Sequence, residues 1–66
     1  MEIILNGKPH RLPRPMTVTD LVESLGFTGK RIAVERNAEI VPRSGHASTS
    51  LASGDRIEIV VAVGGG

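Results

Sequence analysis

The sequence contains no cysteine, tryptophan or tyrosine, and Phe27 is its single aromatic residue. Without cysteine the chain can form neither a disulfide nor a thiolate zinc site, and no thiol of its own can take part in sulfur chemistry. The core must therefore be built from Ile, Leu and Val, which suits a β-rich domain packed on one helix.

The sequence also lacks a large excess of positive or negative charge and a long apolar run. Eight Lys and Arg against seven Asp and Glu leave a formal charge of +1, without the basic block that non-specific nucleic-acid binding requires. The longest apolar run, residues 59–63, is far shorter than the roughly 20 residues of a membrane-spanning helix, and the N-terminus has no signal-peptide pattern. We therefore expect a cytoplasmic protein with no nucleic-acid and no membrane partner.

The first part of the chain has the pattern of a β-hairpin followed by a helix. Residues 2–5 and 8–12 flank Asn6-Gly7, a dipeptide that favours the type I′ turn. Thr17 and Asp20 form a helix start signal, and Gly26 is placed to end the helix with a left-handed residue. The inward stripe of this helix is predicted to be Val18, Leu21, Val22 and Leu25.

The second part predicts another hairpin, a polar surface loop and a long strand. Residues 32–35 and 39–41 flank a turn at Asn37, and residues 43–53 are small and polar, with room for one helical turn. A turn at Gly54-Asp55 then leads into a last strand whose apolar face consists of Ile57, Ile59, Val61 and Val63. This order predicts an α+β domain of the ubiquitin-like β-grasp class, with a mixed sheet packed on one main helix.

No pattern of catalytic residues is present. His10 and His46 lack spaced Cys, Asp or Glu partners, so we interpret both as ordinary surface histidines and predict neither a catalytic nor a metal site. We expect a complete domain at residues 1–63, followed by a flexible glycine tail at residues 64–66. A chain of this length has little room for an active-site cleft.

The glycine tail is the feature that points to chemistry. Gly64, Gly65 and Gly66 follow a strongly patterned strand, and without Cβ atoms they can enter a passage too narrow for side chains. A frayed terminus is the plain alternative. A carboxylate is a poor electrophile, so acyl transfer from Gly66 requires activation, most simply by adenylation with ATP bound to a partner protein. Val60 and Ala62 point to the face opposite the apolar face of the last strand, where they are predicted to form a docking patch for that partner. The plain alternative is that the sheet is covered there.

Several stretches along the chain match one known family: Asn6-Gly7, Thr17-Val18, Leu21-Val22 and residues 39–44, 54–60 and 63–66. On these stretches the whole chain resembles the ThiS family of thiamine-biosynthesis sulfur carriers, with the molybdopterin-synthase small subunit and ubiquitin as more distant relatives. One departure is His46, which stands where an aromatic residue, often Trp, is expected.

This resemblance implies that Gly66 is adenylated by an E1-like, ThiF-like adenylyltransferase and converted to a thiocarboxylate. The neighbouring Gly65 contributes no side chain beside the reacting residue. A ThiG-like thiazole synthase would then use that sulfur for the thiazole ring of thiamine. The chain itself would be a co-substrate rather than an enzyme, with no bound cofactor, and ATP would be used by the activating partner. A molybdopterin-type carrier and a passive ubiquitin-like binding module remain the alternatives.

Overall fold

The computed structural model describes residues 1–62, which form one helix and five strands. A short 3₁₀ turn at Arg43–Gly45 precedes the last strand. In chain order the elements are β1 (Glu2–Leu5), β2 (Lys8–Arg11), α1 (Val18–Ser24), β3 (Ile32–Arg36), β4 (Glu39–Val41) and β5 (Arg56–Val61).

The last strand lies at the centre of the sheet, whose order is β2-β1-β5-β3-β4. β5 runs parallel to β1, with Ile4 opposite Arg56, and antiparallel to β3, with Val34 opposite Ile59. Both hairpins are antiparallel. The prediction of a mixed β-grasp sheet with the last strand beside the first is therefore confirmed.

The two hairpin turns use the same left-handed backbone conformation. Asn6 and Gly7 have φ angles of 50° and 81°, as the dipeptide predicts, and Asn37 and Ala38 have φ angles of 51° and 71°. Ala38 was not expected in this conformation, because a Cβ atom there costs roughly 1 to 2 kcal/mol. The pairing of β3 with β4 holds it in place.

Both ends of α1 are capped as the sequence predicts. Thr17 Oγ1 accepts from the Asp20 N–H at 3.2 Å, and Asp20 Oδ2 accepts from the Thr17 N–H at 3.0 Å, which completes a capping box. At the other end Gly26 has φ +77°, and the Phe27 N–H donates to the Val22 carbonyl at 3.0 Å. A seven-residue helix is not stable alone, so these caps and its burial maintain it.

The core lies between α1 and one face of the sheet, and it also receives residues from the connecting segments. Partly buried Leu5, Leu25, Phe27, Ile32 and Val41 surround it. Its buried members are Ile3, Leu12, Met16, Val18, Leu21, Val22, Val34, Leu51, Ile57 and Ile59.

The polar segment 43–53 is more firmly attached than a surface loop. The Val18 N–H donates to the Thr49 carbonyl at 3.0 Å, and the Leu51 N–H donates to the Met16 carbonyl at 2.9 Å. The expectation that His46 is a surface residue is wrong, because the residue is only 9% exposed. Its Nε2–H donates to the Val41 carbonyl at 3.1 Å, which allows the ring to be buried in the place of the expected aromatic residue.

Leu21 gives the most direct test of this core. Its side chain is fully buried, so Leu21→Ala should lower the free energy of unfolding by about 2 to 5 kcal/mol through lost burial and the cavity left behind. Ile40→Ala is the matched control, because Ile40 is 75% exposed and its truncation should have little effect on stability. Denaturant unfolding measures both; equal losses would mean that the inward face of α1 is assigned incorrectly.

Candidate functional site

The predicted acyl site, Gly66, and its neighbours Gly64 and Gly65 lie outside the described residues, as does Val63. That the glycines form a tail, and that Gly66 is the site of acyl transfer, stay predictions. What the structure does define is the strand that leads to them and the surface on either side of that strand.

On the β3 side, β5 is paired almost to the start of the glycine segment. Val60 lies opposite Ala33, and the Ala62 N–H still donates to the Arg31 carbonyl at 2.9 Å. The backbone position of Ala62 is thereby fixed relative to the sheet. Four further residues, 63–66, follow Ala62 in the sequence.

On the β1 side, an asparagine side chain continues the ladder after β1 has ended at Leu5. Asn6 Oδ1 accepts from the Ile59 N–H at 2.9 Å, and Asn6 Nδ2 donates to the Ile59 carbonyl at 3.3 Å. The amide thus replaces one residue of a neighbouring strand. The sequence predicts Asn6 only as a turn residue, because a contact over 53 positions has no local signal.

The beginning of β5 is held by the buried carboxylate of Asp55, which the sequence identifies only as part of a turn. Its Oδ2 accepts from the Ala52 N–H at 2.8 Å and from Arg36 Nε at 2.9 Å, and its Oδ1 accepts from Asn37 Nδ2 at 3.1 Å. Burial raises the pKa of Asp55, but these hydrogen bonds and the Arg36 charge outweigh it and lower the pKa below its usual value. The ionised form therefore stabilises the fold.

The predicted docking residues Val60 and Ala62 are both exposed on the face of the sheet that α1 does not cover. Val60 is 65% exposed, which is high for a valine in a central strand. The structure places Val60 and Ala62 together on one face, while their role in docking stays a prediction.

Residues 1–62 contain no group of three His, Cys, Asp or Glu side chains able to hold a metal ion. His10 is half-buried on β2, and His46 is committed to the Val41 carbonyl. In the same part of the chain, no helix is both long and apolar enough to cross a membrane.

The model of the ThiS family matches this chain over residues 3–66. A sulfur carrier protein ThiS of Bacillus subtilis is 40% identical over 63 residues, which cover 94% of this chain and 96% of the relative. The crystal structure of a thiamine biosynthesis protein (ThiS) from Geobacter metallireducens superimposes with a TM-score of 0.84 at 30% identity and covers both chains completely.

A second kind of relative is much longer. A thiazole synthase of Paramagnetospirillum magneticum is 42% identical to all 66 residues, yet the chain spans only 20% of the length of that relative. The chain also spans 20% of a thiazole synthase of Magnetococcus marinus, at 41% identity. In each of them, a region similar to this whole chain is part of a larger protein.

The Asp55 network predicts a specific loss of stability in acid. Because the folded-state pKa is lowered, the stabilisation by ionised Asp55 is complete above the unfolded-state pKa and is lost as the pH falls through the folded-state value. Asp55→Asn should cost about 1 to 3 kcal/mol near neutral pH, since one acceptor oxygen and the charge are removed. The difference between the two proteins should shrink in acid. Unfolding measured from neutral pH to below pH ~3 tests this; a constant difference would contradict it.

Proposed function

The chain belongs to the ThiS family, and on that premise we propose that it carries sulfur for thiamine biosynthesis on its C-terminal glycine. The observation that carries this proposal is the extent of the family match, which continues through Gly66. Membership confirms the resemblance found in the sequence and supports the prediction of a carrier protein rather than an enzyme.

The proposed chemistry takes place at the Gly66 carboxylate in the active site of a partner. A carboxylate oxygen attacks the α-phosphorus of ATP and pyrophosphate leaves, which gives an acyl adenylate. A sulfide-equivalent nucleophile then attacks the acyl carbon and AMP leaves, so that the terminus becomes a thiocarboxylate. ATP is bound by the E1-like partner, the carrier needs no resident cofactor, and we assign the process to the cytoplasm, where ATP is available.

The fold supports this proposal through the fixed position of Ala62. The four residues beyond Ala62 can extend at most about 14 Å, so the acyl carbon can react only when the folded body lies close to the partner's active site. The surface beside β5 must therefore be part of the contact. Val60 and Ala62 occupy that surface, and we propose them as docking residues.

A thiazole synthase is the proposed recipient of the sulfur. Two relatives with that name contain a region similar to this entire chain within a single longer polypeptide. Joining in one chain raises the effective concentration of one unit for the other, which is useful when one delivers a group to the other. Restored growth of a thiazole-requiring strain by this chain would support the thiamine pathway over a molybdopterin-type carrier or a passive binding module.

The tail variants test the acyl site itself. Deleting Gly66 leaves a glycine carboxylate that is about 3.3 to 3.6 Å short of the reacting atoms, and such a displacement is enough to abolish near-attack geometry. Gly65→Val keeps the length but adds a β-branched side chain to a segment that must enter a narrow passage in the partner. Both should reduce ATP–pyrophosphate exchange by the E1-like partner at least about 100-fold.

Circular dichroism provides the control for these variants, since residues 1–62 contain the whole described sheet and helix. Their spectra and thermal midpoints should equal those of the unmodified chain. ATP–pyrophosphate exchange at the normal rate with both variants would show that the glycines are a frayed terminus without a role in activation.

The docking patch predicts a separate loss in affinity. Val60→Asp places a charge where we propose an apolar contact, and it should weaken binding to the activating enzyme by about 1 to 3 kcal/mol. The protein should stay folded, because Val60 is exposed. Thr28→Asp is the matched control, because it adds the same charge at an exposed position beyond α1. Calorimetric titration compares them; equal affinities would remove Val60 from the interface.

A further inference from the structure

Two glutamates lie directly opposite each other on the face of the sheet that α1 leaves open. Glu35 on β3 pairs with Glu58 on β5, and directly opposed like charges destabilise a sheet. The ion pairs within residues 1–62 are Arg14–Asp20 and Arg36–Asp55, so neither glutamate has a cationic partner there. The fold therefore carries an electrostatic cost at the centre of its open face.

The two carboxylates line a cavity of about 210 Å³ together with Ile4, Ile57 and Arg56. Small-molecule sites usually occupy roughly 300 to 1,000 Å³, so this cavity suits one side chain better than a nucleotide or a metabolite. The lining contains two carboxylates and one basic side chain, that of Arg56, so the cavity is acidic. An anionic ligand would be repelled from it.

Exposed apolar side chains lie beside this acidic pair. Ile40 is paired with Glu35 across β3 and β4 and is 75% exposed, and Val60 follows Glu58 on the same face of β5. An apolar border that excludes water strengthens a charge contact at its centre. The same border continues to exposed Ala62, the last described residue.

We propose that the Glu35–Glu58 cavity receives a Lys or Arg side chain of the activating enzyme, while apolar residues of that enzyme cover Val60 and Ile40. This inference rests on the proposed function, because it names the contact that holds the carrier while Gly66 reacts. Charge complementarity selects a basic partner surface. A symmetric dimer across this face is disfavoured, since a two-fold axis would bring one acidic pair against the other.

The experiment measures ATP–pyrophosphate exchange by the E1-like enzyme as a function of carrier concentration. The variants Glu35→Gln and Glu58→Gln remove one charge each and preserve shape, and Glu23→Gln is the matched control on α1. Each variant is assayed at roughly 0.02 M and 0.5 M salt, because screening separates charge contacts from apolar ones. Thermal unfolding and sedimentation of the same variants accompany the kinetics.

Glu35→Gln and Glu58→Gln should raise the KM for the carrier about tenfold at low salt, with kcat unchanged, and the difference should shrink at high salt. Glu23→Gln should behave as the unmodified chain does. The thermal midpoints of the two cavity variants should equal or exceed the original, because the opposed charges are relieved. Lower affinity combined with unchanged or higher stability cannot result from misfolding.

An unchanged KM for both cavity variants, with an active unmodified carrier, would overturn this inference and leave the proposed function standing. A second overturning result is that the unmodified chain self-associates and that Glu58→Gln abolishes the association without changing the KM. The occupant of the cavity would then be a second copy of this chain. Failure of the unmodified chain to support any exchange would instead contradict the proposed function itself.

Discussion

The structure depends on the placement of β5 in the middle of the sheet, with hydrogen-bonded neighbours on both sides. A C-terminal strand at an edge could fray, whereas β5 pairs with β3 and β1 and is extended on the β1 side by the amide of Asn6. Asp55 and Asn37 hold its beginning, with the Arg56 N–H donating to Asn37 Oδ1 at 2.9 Å. This arrangement fixes the position of Ala62, the last described residue before the glycines.

The stability behind this arrangement comes from one small aliphatic core. A chain of this size buries a smaller part of its surface than larger domains do, and here the core has no disulfide to assist it. Local devices contribute instead: the capping box of α1, its Schellman ending at Gly26 and the attachment of segment 43–53 to Met16 and Val18. An opposed pair of carboxylates is costly in so small a fold, which is why the Glu35–Glu58 pair points to binding.

The elements that follow local rules could be predicted from the sequence. The Asn6-Gly7 turn, the Thr17 cap and the ending at Gly26 depend on neighbours within a few positions, so their patterns were sufficient. The features that were missed arise from long-range contacts. The burial of His46 accompanies the attachment of segment 43–53 to α1, where the Thr19 N–H donates to the His46 carbonyl at 3.1 Å. The roles of Asp55 and Asn6 likewise depend on partners far away in the chain.

The candidate site divides in the same way. The change from an aliphatic to a pure glycine sequence points to the terminal glycines without knowledge of the fold. The alternation along the last strand points to the patch at Val60 in the same way. The facing of Glu35 and Glu58 depends on the register of two strands, and a shift by one residue would send their side chains to opposite faces. Only the structure reveals that surface.

The central claim is that the carboxylate of Gly66 becomes a thiocarboxylate, and the mass of the intact chain tests it most directly. The chain is incubated with ATP, its E1-like partner and a sulfide source, and then measured by high-resolution mass spectrometry with fragmentation of the C-terminus. The account predicts a mass increase equal to the replacement of one oxygen by sulfur, located on Gly66. An unchanged terminal mass, with a partner shown to be active on another carrier, would contradict it.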